Sequence, residues 1–301
     1  CGADHYQRTG IAPDRLLGIP GEFQMVRCLE CGVVYLNPQP TTDEILRYYP
    51  ADYDAYAGAR VDELSGLRRW SVAYGLHKRR RAVTRYVSSG RLLEVGCATG
   101  AFLDTMRAAG DWDVYGVDIS EYAVNYAQDR LGLKVFLGQL AEAQFPAGYF
   151  DVVVMWDVLE HLPDPRAALS EVRRVLKDDG WFIFRVPNLD SWDARLFGAY
   201  WAGFDVPRHF TTFSVETVRH LLKLEGFRWH KAACISGTYP TFVLSVRFWA
   251  RDHLSPLAQR WLVRVLNMLP LRLIVAPWCR MVDWLKKSSV ITIYARKGTE
   301  S

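Results

Sequence analysis

From residue 91 onward, short apolar runs alternate with segments of helical spacing. RLLEVG, DVYGVDI, KVFLG, FDVVVMWD and WFIFRVPN are each too short for a stable helix and read as strands. AFLDTMRAAG, EYAVNYAQDRLG and PRAALSEVRRVLKDDG lie between them and place apolar residues at helical intervals, the last expected to close at Gly180. SVETVRHLLKLEGF then reads as a capped helix, and WHKAACISGTY and SVITIYARK as two further strands. Strands that alternate with helices and are apolar on both sides predict an α/β fold. Its seven-stranded, mostly parallel sheet is covered by helices on both faces.

The flanking segments break this rhythm. Residues 1–50 carry MVRCLECGVVYLNPQP and short apolar runs, and are expected to form a small zinc-ribbon-like knuckle and linker ahead of a main domain over 51–301. In TTDEILRYYP, Thr42 is the expected N-cap of a short helix. Residues 61–88 have helical spacing and a basic run, which is expected to be a solvated helix face. A helical insertion occupies about 240–288. In it Leu257, Trp261, Val265 and Leu269 recur at i, i+4 while Arg260, Arg264 and Asn267 fall on another side, and Pro270 should break the helix. Such a segment suits a helix lying in a membrane interface, giving peripheral membrane contact through 257–285. The favoured alternative is a lid or dimer contact packed on the protein itself.

Composition narrows the picture modestly. The 301 residues are 50% hydrophobic and 23% charged, a globular balance, and the net charge of +4 neither demands nor excludes an anionic partner. There is no apolar run long enough to span a bilayer. Six cysteines, two of them in C-x-x-C, suit a reducing and therefore cytoplasmic setting rather than a disulfide framework. The start at Cys1 suggests that the N-terminus has been cut.

The chemistry concentrates in LLEVGCATG, residues 92–100. A buried strand running into a small-residue loop ahead of a helix occupies the carboxyl end of a parallel sheet, where α/β proteins bind ligands. Gly96 and Gly100 allow a tight turn, and the following helix offers free N–H groups. The second strand ends at Asp118, placed to hold the hydroxyls of a ribose. The glycine pattern is not the G-x-G-x-x-G that approaches a pyrophosphate, and Glu94 on the strand suits a cationic ligand group better than a diphosphate.

Taken in order, LLEVGCATG, YGVDIS, FDVVVMWDVLEHLPDP and LKDDGWFIFRVPN resemble the successive motifs of the class I S-adenosylmethionine-dependent methyltransferases over about residues 90–235 and the last strand. The resemblance implies a Rossmann-like fold and S-adenosyl-L-methionine as cofactor. It places Glu94, Gly96, Cys97 and Gly100 around the methionine part, Asp118 on the ribose and Ile119 on the adenine. Gln139 stands where the family usually has an acid for the adenine amino group, beside Leu140, and Trp156 lines the pocket. Ala98 replaces the usual middle glycine.

Whether the transfer needs a base is left open; for an oxygen acceptor that does, His161 and His209 are the expected candidates, since an ordinary histidine titrates near pH ~6.5. Asp157, Arg208 and Tyr200 are weaker candidates. The N-terminal segment is similar to the CxxCG…CxxCG…NPxP…YY start of relatives in this family. That similarity implies a structural zinc site on Cys1, Cys28 and Cys31, with a fourth cysteine preceding Cys1 or His5 in its place. Tyr49 and Tyr53 either fold over the cofactor or pack on the sheet edge. Cys234 and Cys279 are expected core residues. The acceptor is expected to be a small molecule such as a sugar, a phenol or a lipid-linked compound, with the methylated atom (O, N or C) open. No nucleic-acid partner is expected, and the oligomeric state is left open. The other reading is a non-catalytic S-adenosylmethionine-binding module recruited through its knuckle.

Overall fold

The computed structural model describes residues 1–49, 66–235 and 238–298. The strands are β1 (Tyr6–Pro13), β2 (Glu22–Cys28), β3 (Val34–Leu36), β4 (Gly90–Val95), β5 (Trp112–Asp118), β6 (Lys134–Leu137), β7 (Phe150–Trp156), β8 (Leu176–Pro187), β9 (Thr211–Thr212), β10 (Phe227–Ala233) and β11 (Val290–Lys297). Seven of them form one sheet in the order β10-β11-β8-β7-β4-β5-β6. The pairs from β8 to β6 are parallel, and β11 runs antiparallel to both of its neighbours. The chain leaves β4 toward one edge through β5 and β6, then returns to β7 on the other side of β4. The order therefore switches between β4 and β7, which opens a crevice at their carboxyl ends. In β7, Val152, Val153, Val154 and Met155 are fully buried, so both faces of this central strand are covered.

The helices that follow β5, β7 and β9 begin where side chains satisfy free N–H groups, whereas Ala101–Arg107 starts at Gly100 without a side-chain cap. Ser120 accepts from Ala123 N at 3.3 Å, and Asp164 accepts from Arg166 N and Ala167 N at 3.0 Å, with Pro165 in the first turn. Ser214 accepts from Thr217 N at 3.1 Å. Two expected boundaries are corrected. Thr41, not Thr42, caps the first short helix, because Glu44 lies three residues after Thr41 and closes a reciprocal capping box. The helix from Pro165 ends at Val175 rather than Gly180. Leu176 is fully buried and opens β8 opposite Phe150, and Gly180 sits at a register shift where a Cβ would meet Leu176 and the Lys177 backbone at 2.9 Å.

The N-terminal segment forms a small antiparallel sheet that reaches the main domain. β1, β2 and β3 pair antiparallel, and β3 pairs with β9 from the main domain. A buried ion pair reinforces this junction. The Arg208 Nη2 donates to Asp14 and to Asp205, each at 2.7 Å, and the Arg208 side chain is wholly enclosed. The first described part of the basic segment is the helix Gly66–Thr84, and residues 61–65 lie outside the described residues.

The insertion before β11 comprises three helices, Thr238–His253, Pro256–Leu266 and Leu269–Trp284, so Leu269 starts the third instead of continuing the second. The first packs on the protein: Ser245 accepts from Ala202 N at 2.9 Å, and Phe242 lies against Trp192. The other two leave Leu257, Trp261, Ile274 and Trp284 exposed. Among the described residues no single helix is long and apolar enough to cross a membrane.

Removing the Arg208 guanidinium would strand two buried carboxylates. Arg208→Ala is expected to lower the unfolding free energy by about 3–5 kcal/mol, read by urea denaturation. A loss no larger than that of a surface arginine would show that the junction does not depend on this group.

Candidate active site

β4 delivers its loop directly into the crevice. Gly96 N and Cys97 N donate to Val117 O at 2.8 and 3.2 Å, which ties the loop to the end of β5. Asp118 completes the tie: one carboxylate oxygen accepts from Ala98 N at 2.7 Å and the other from Ser120 N at 2.9 Å. Each oxygen keeps a further lone pair, so the same carboxylate that shapes the loop has capacity left for ligand hydroxyls. Burial raises its pKa against these stabilising N–H bonds.

Gly96 and Gly100 have φ of +70° and +78°, but what approaches them is protein. A Cβ at Gly96 would lie 2.5 Å from Val158, and one at Gly100 2.4 Å from Leu133. Glycine is thus required at both positions by the loop after β7 and by the core beneath the helix Ala101–Arg107. The Gly96–Val158 contact also fixes the β7 loop against the β4 loop.

Glu94 is buried on β4, and its Oε2 has no hydrogen-bond partner. Burial pushes its pKa well up, opposed by the charge of Arg79. Trp156 is buried against Phe102, with its indole N–H unpartnered and Arg79 over its ring at 5.4 Å. Cys97 is buried and its thiol is pushed well up, which makes it inert. Ile119 is 73% exposed beside the pocket. Leu140 is buried, whereas the Gln139 side chain is exposed and its backbone N–H donates to Glu142 at 2.6 Å. An orphaned buried carboxylate oxygen, an unpartnered indole N–H and an exposed apolar side chain suit a ligand with a cationic group and an aromatic base. The residues present thus fit the implied cofactor.

Arg79 corrects the reading of the basic run as a solvated face. Its side chain turns inward, 3.6 Å from Asp157, and burial lowers its pKa to about 10. Helical spacing alone could not show this, because the same run supplies exposed neighbours. Asp157 follows β7 at φ +59° and accepts from Arg185 Nε at 2.7 Å. Burial raises its pKa, and the Arg185 charge more than offsets that.

Next to this pair lie the two candidate bases. His161 ends the short turn Leu159–His161, and His209 precedes β9. Their ring centroids are 4.5 Å apart. His161 Nδ1 lies 3.0 Å from Arg208 O and 3.1 Å from Tyr49 Oη, and His209 Nδ1 lies 2.9 Å from Gly203 O. A carbonyl only accepts, so both rings carry their proton on Nδ1 and present a bare Nε2. The expectation of an ordinary histidine pKa is overturned. Burial, followed by the charge of His209, pushes His161 down to about 3, and burial lowers His209 as well. Both are neutral, but His161 is a weak proton acceptor. Glu160 between them is completely buried, neither carboxylate oxygen has a partner, and burial raises its pKa strongly.

The remaining candidates lie elsewhere. Tyr200 packs on His253 and under Arg15, away from the histidines, and Arg208 is spent on the buried junction. Tyr53 lies outside the described residues. Cys1, Cys28 and Cys31 bring their sulfurs within 4.8 Å of one another. His5 is not part of that group, and sits 4.0 Å from Glu30 instead. Cys234 and Cys279 are only partly buried.

The depressed pKa of His161 fixes the sign of a pH effect. As pH falls, the unfolded chain protonates near about 6.5, while the folded one resists until about 3. The associated stability is therefore complete above the upper value and is lost on acidification. Glu94 and Glu160 act in the opposite sense, so the informative quantity is the difference between parent and His161→Gln. The parent should lose up to about 1.4 kcal/mol more per pH unit between about pH 6 and 4, measured by urea unfolding. Parallel curves would contradict the burial of this ring.

A family model described as a methyltransferase domain matches residues 68–232. The chain is 34% identical to a ubiquinone biosynthesis O-methyltransferase of Thiobacillus denitrificans over 107 residues, which are 34% of this chain and 46% of that protein. It is 27% identical to the protein of that name from Burkholderia vietnamiensis over 165 residues, 48% of this chain and 71% of that one. The chain thus spans about half the length of the Thiobacillus relative. A protein solved with the Haloferax volcanii Trm112 methyltransferase activator aligns at a TM-score of 0.55 with 17% identity, covering 83% of this chain and 97% of that one. The [4+2]-cyclase SpnF aligns at 0.53 with 20% identity, covering 87% and 99%. These two share the fold. The family model covers more than half of the residues, from the helix that carries Arg79 to β10, and the chain belongs to the family of S-adenosylmethionine-dependent methyltransferase domains.

Proposed function

We propose that this chain transfers a methyl group from S-adenosyl-L-methionine to a hydroxyl oxygen of a small acceptor, with Glu160, His161 and His209 facing that oxygen. The observation that carries the reading is the Gly96–Val158 contact. It holds the turn that bears Glu160 and His161 against the loop that cradles the cofactor. The name of the ubiquinone biosynthesis relatives favours oxygen as the methylated atom. The bound cofactor supplies a methyl already activated on a sulfonium, so the protein has mainly to orient and to handle one proton. Glu94 would meet the cationic amino group, Asp118 the ribose hydroxyls, and Ile119 and Leu140 the adenine. Aromatic side chains at Tyr49 and Trp156 close the crevice against water.

We also propose zinc on Cys1, Cys28 and Cys31, where it would secure the turn between β2 and β3. Three thiolates suit zinc, and a fourth ligand would complete the tetrahedron. Cobalt(II) bound there should show sulfur-to-metal charge-transfer absorption that Cys28→Ser removes. No such absorption in the parent would exclude the site.

For the methyl-transfer reading, His161→Ala and His209→Ala are expected to retain S-adenosylhomocysteine binding while at least one lowers turnover on a phenolic or other hydroxyl acceptor by about 100-fold or more. Parent-level turnover in both variants would remove the histidines from the reaction.

A further inference from the structure

The cluster behind the proposed acceptor position contains an unsatisfied buried carboxyl group. Glu160 is wholly enclosed and both of its oxygens lack a hydrogen-bond partner, a costly arrangement for a carboxyl group in either protonation state. The neighbouring cations are committed elsewhere: Arg185 donates to Asp157, and Arg208 to Asp14 and Asp205. One donor atom from each of Glu160, His161 and His209 lies within 4.8 Å of the other two. Both imidazoles anchor Nδ1–H on a backbone carbonyl, Arg208 O and Gly203 O, and so keep an Nε2 lone pair. A backbone carbonyl behind the far nitrogen is the usual support of a metal-bound histidine, because it fixes tautomer and ring orientation.

The cluster is also anchored from both sides. Phe210 N donates to Glu160 O at 2.8 Å, which joins the turn after β7 to the segment that carries His209. Ligands on a metal at about 2.0–2.2 Å stand about 3 Å or more apart, so modest side-chain rotation would bring this trio into place.

We propose that Glu160, His161 and His209 bind one divalent transition-metal cation through two imidazole Nε2 atoms and a carboxylate oxygen. Two histidines and one carboxylate leave coordination positions open. An acceptor hydroxyl oxygen bound there gives up its proton more readily to water, so a strongly basic histidine is not required. This role in activating the acceptor rests on the O-methylation reading; the metal site itself does not.

The test uses the full chain, stripped with a chelator and titrated with cobalt(II). Beyond any cobalt held by the cysteines, one further equivalent is expected. The parent should then show two solvent-exchangeable, paramagnetically shifted imidazole N–H resonances, one from each Nδ1–H. Glu160→Gln, nearly isosteric, should weaken this equivalent by at least about tenfold while leaving S-adenosylhomocysteine binding and the sulfur-to-cobalt absorption in place. If the parent shows no shifted imidazole protons, or if Glu160→Gln binds the same cobalt with the same affinity, the site is overturned. If cobalt binds as expected but S-adenosylhomocysteine does not bind the parent, the metal site stands and the methyl-transfer reading fails.

Discussion

The buried Arg208 guanidinium is the interaction on which the acceptor side of this protein depends. It joins three parts of the chain: Asp14 beyond β1, the carbonyl of Tyr48 at 3.3 Å, and Asp205. Burial alone would lower its pKa, but Asp205 and Asp14 more than offset that and raise it. Its own carbonyl accepts a hydrogen bond from the His161 Nδ1–H, so the residue that clamps the N-terminal sheet also sets a histidine tautomer. The N-terminal segment is thereby part of the site's support. Through β3 and β9 it fixes the backbone immediately after His209.

The cofactor side depends on a different constraint, the switch in strand order between β4 and β7. It brings two loops of unrelated sequence into contact at Gly96 and Val158. Asp118 then organises the β4 loop through Ala98 N before any ligand arrives. After β7, Asp157 pairs with Arg185 of β8 and lies 3.6 Å from Arg79. Glu94 on β4 and Glu160 after β7 each keep a buried carboxylate oxygen without a hydrogen-bond partner, and each is suited to a positive charge.

Much of this was legible in the sequence. Alternating apolar runs gave the seven strands, because a parallel sheet covered on both faces leaves a clear pattern, and four motifs in order pointed to the loop after β4 as the candidate cofactor loop. What was not legible were matters of contact. Arg79 looked like its neighbours in a basic run, and only the tertiary structure brings it to Asp157. The end of the helix at Val175 was hidden because LKDDG can close a helix as easily as bulge a strand. The pairing of β3 with β9 joins residues about 180 positions apart, a distance over which no local pattern carries information. The histidines were found by residue type, but their depressed basicity and their shared environment with Glu160 follow from burial, which spacing does not report.

The central claim is that LLEVGCATG and Asp118 form the cofactor pocket. Calorimetric titration of the full chain with S-adenosylhomocysteine, beside Asp118→Ala, tests it most directly. One-to-one binding by the parent is expected, with its loss in the variant, which lacks the carboxylate proposed for the ribose and the tie to Ala98 N. Undiminished binding by Asp118→Ala, or none by a folded parent chain, would contradict it.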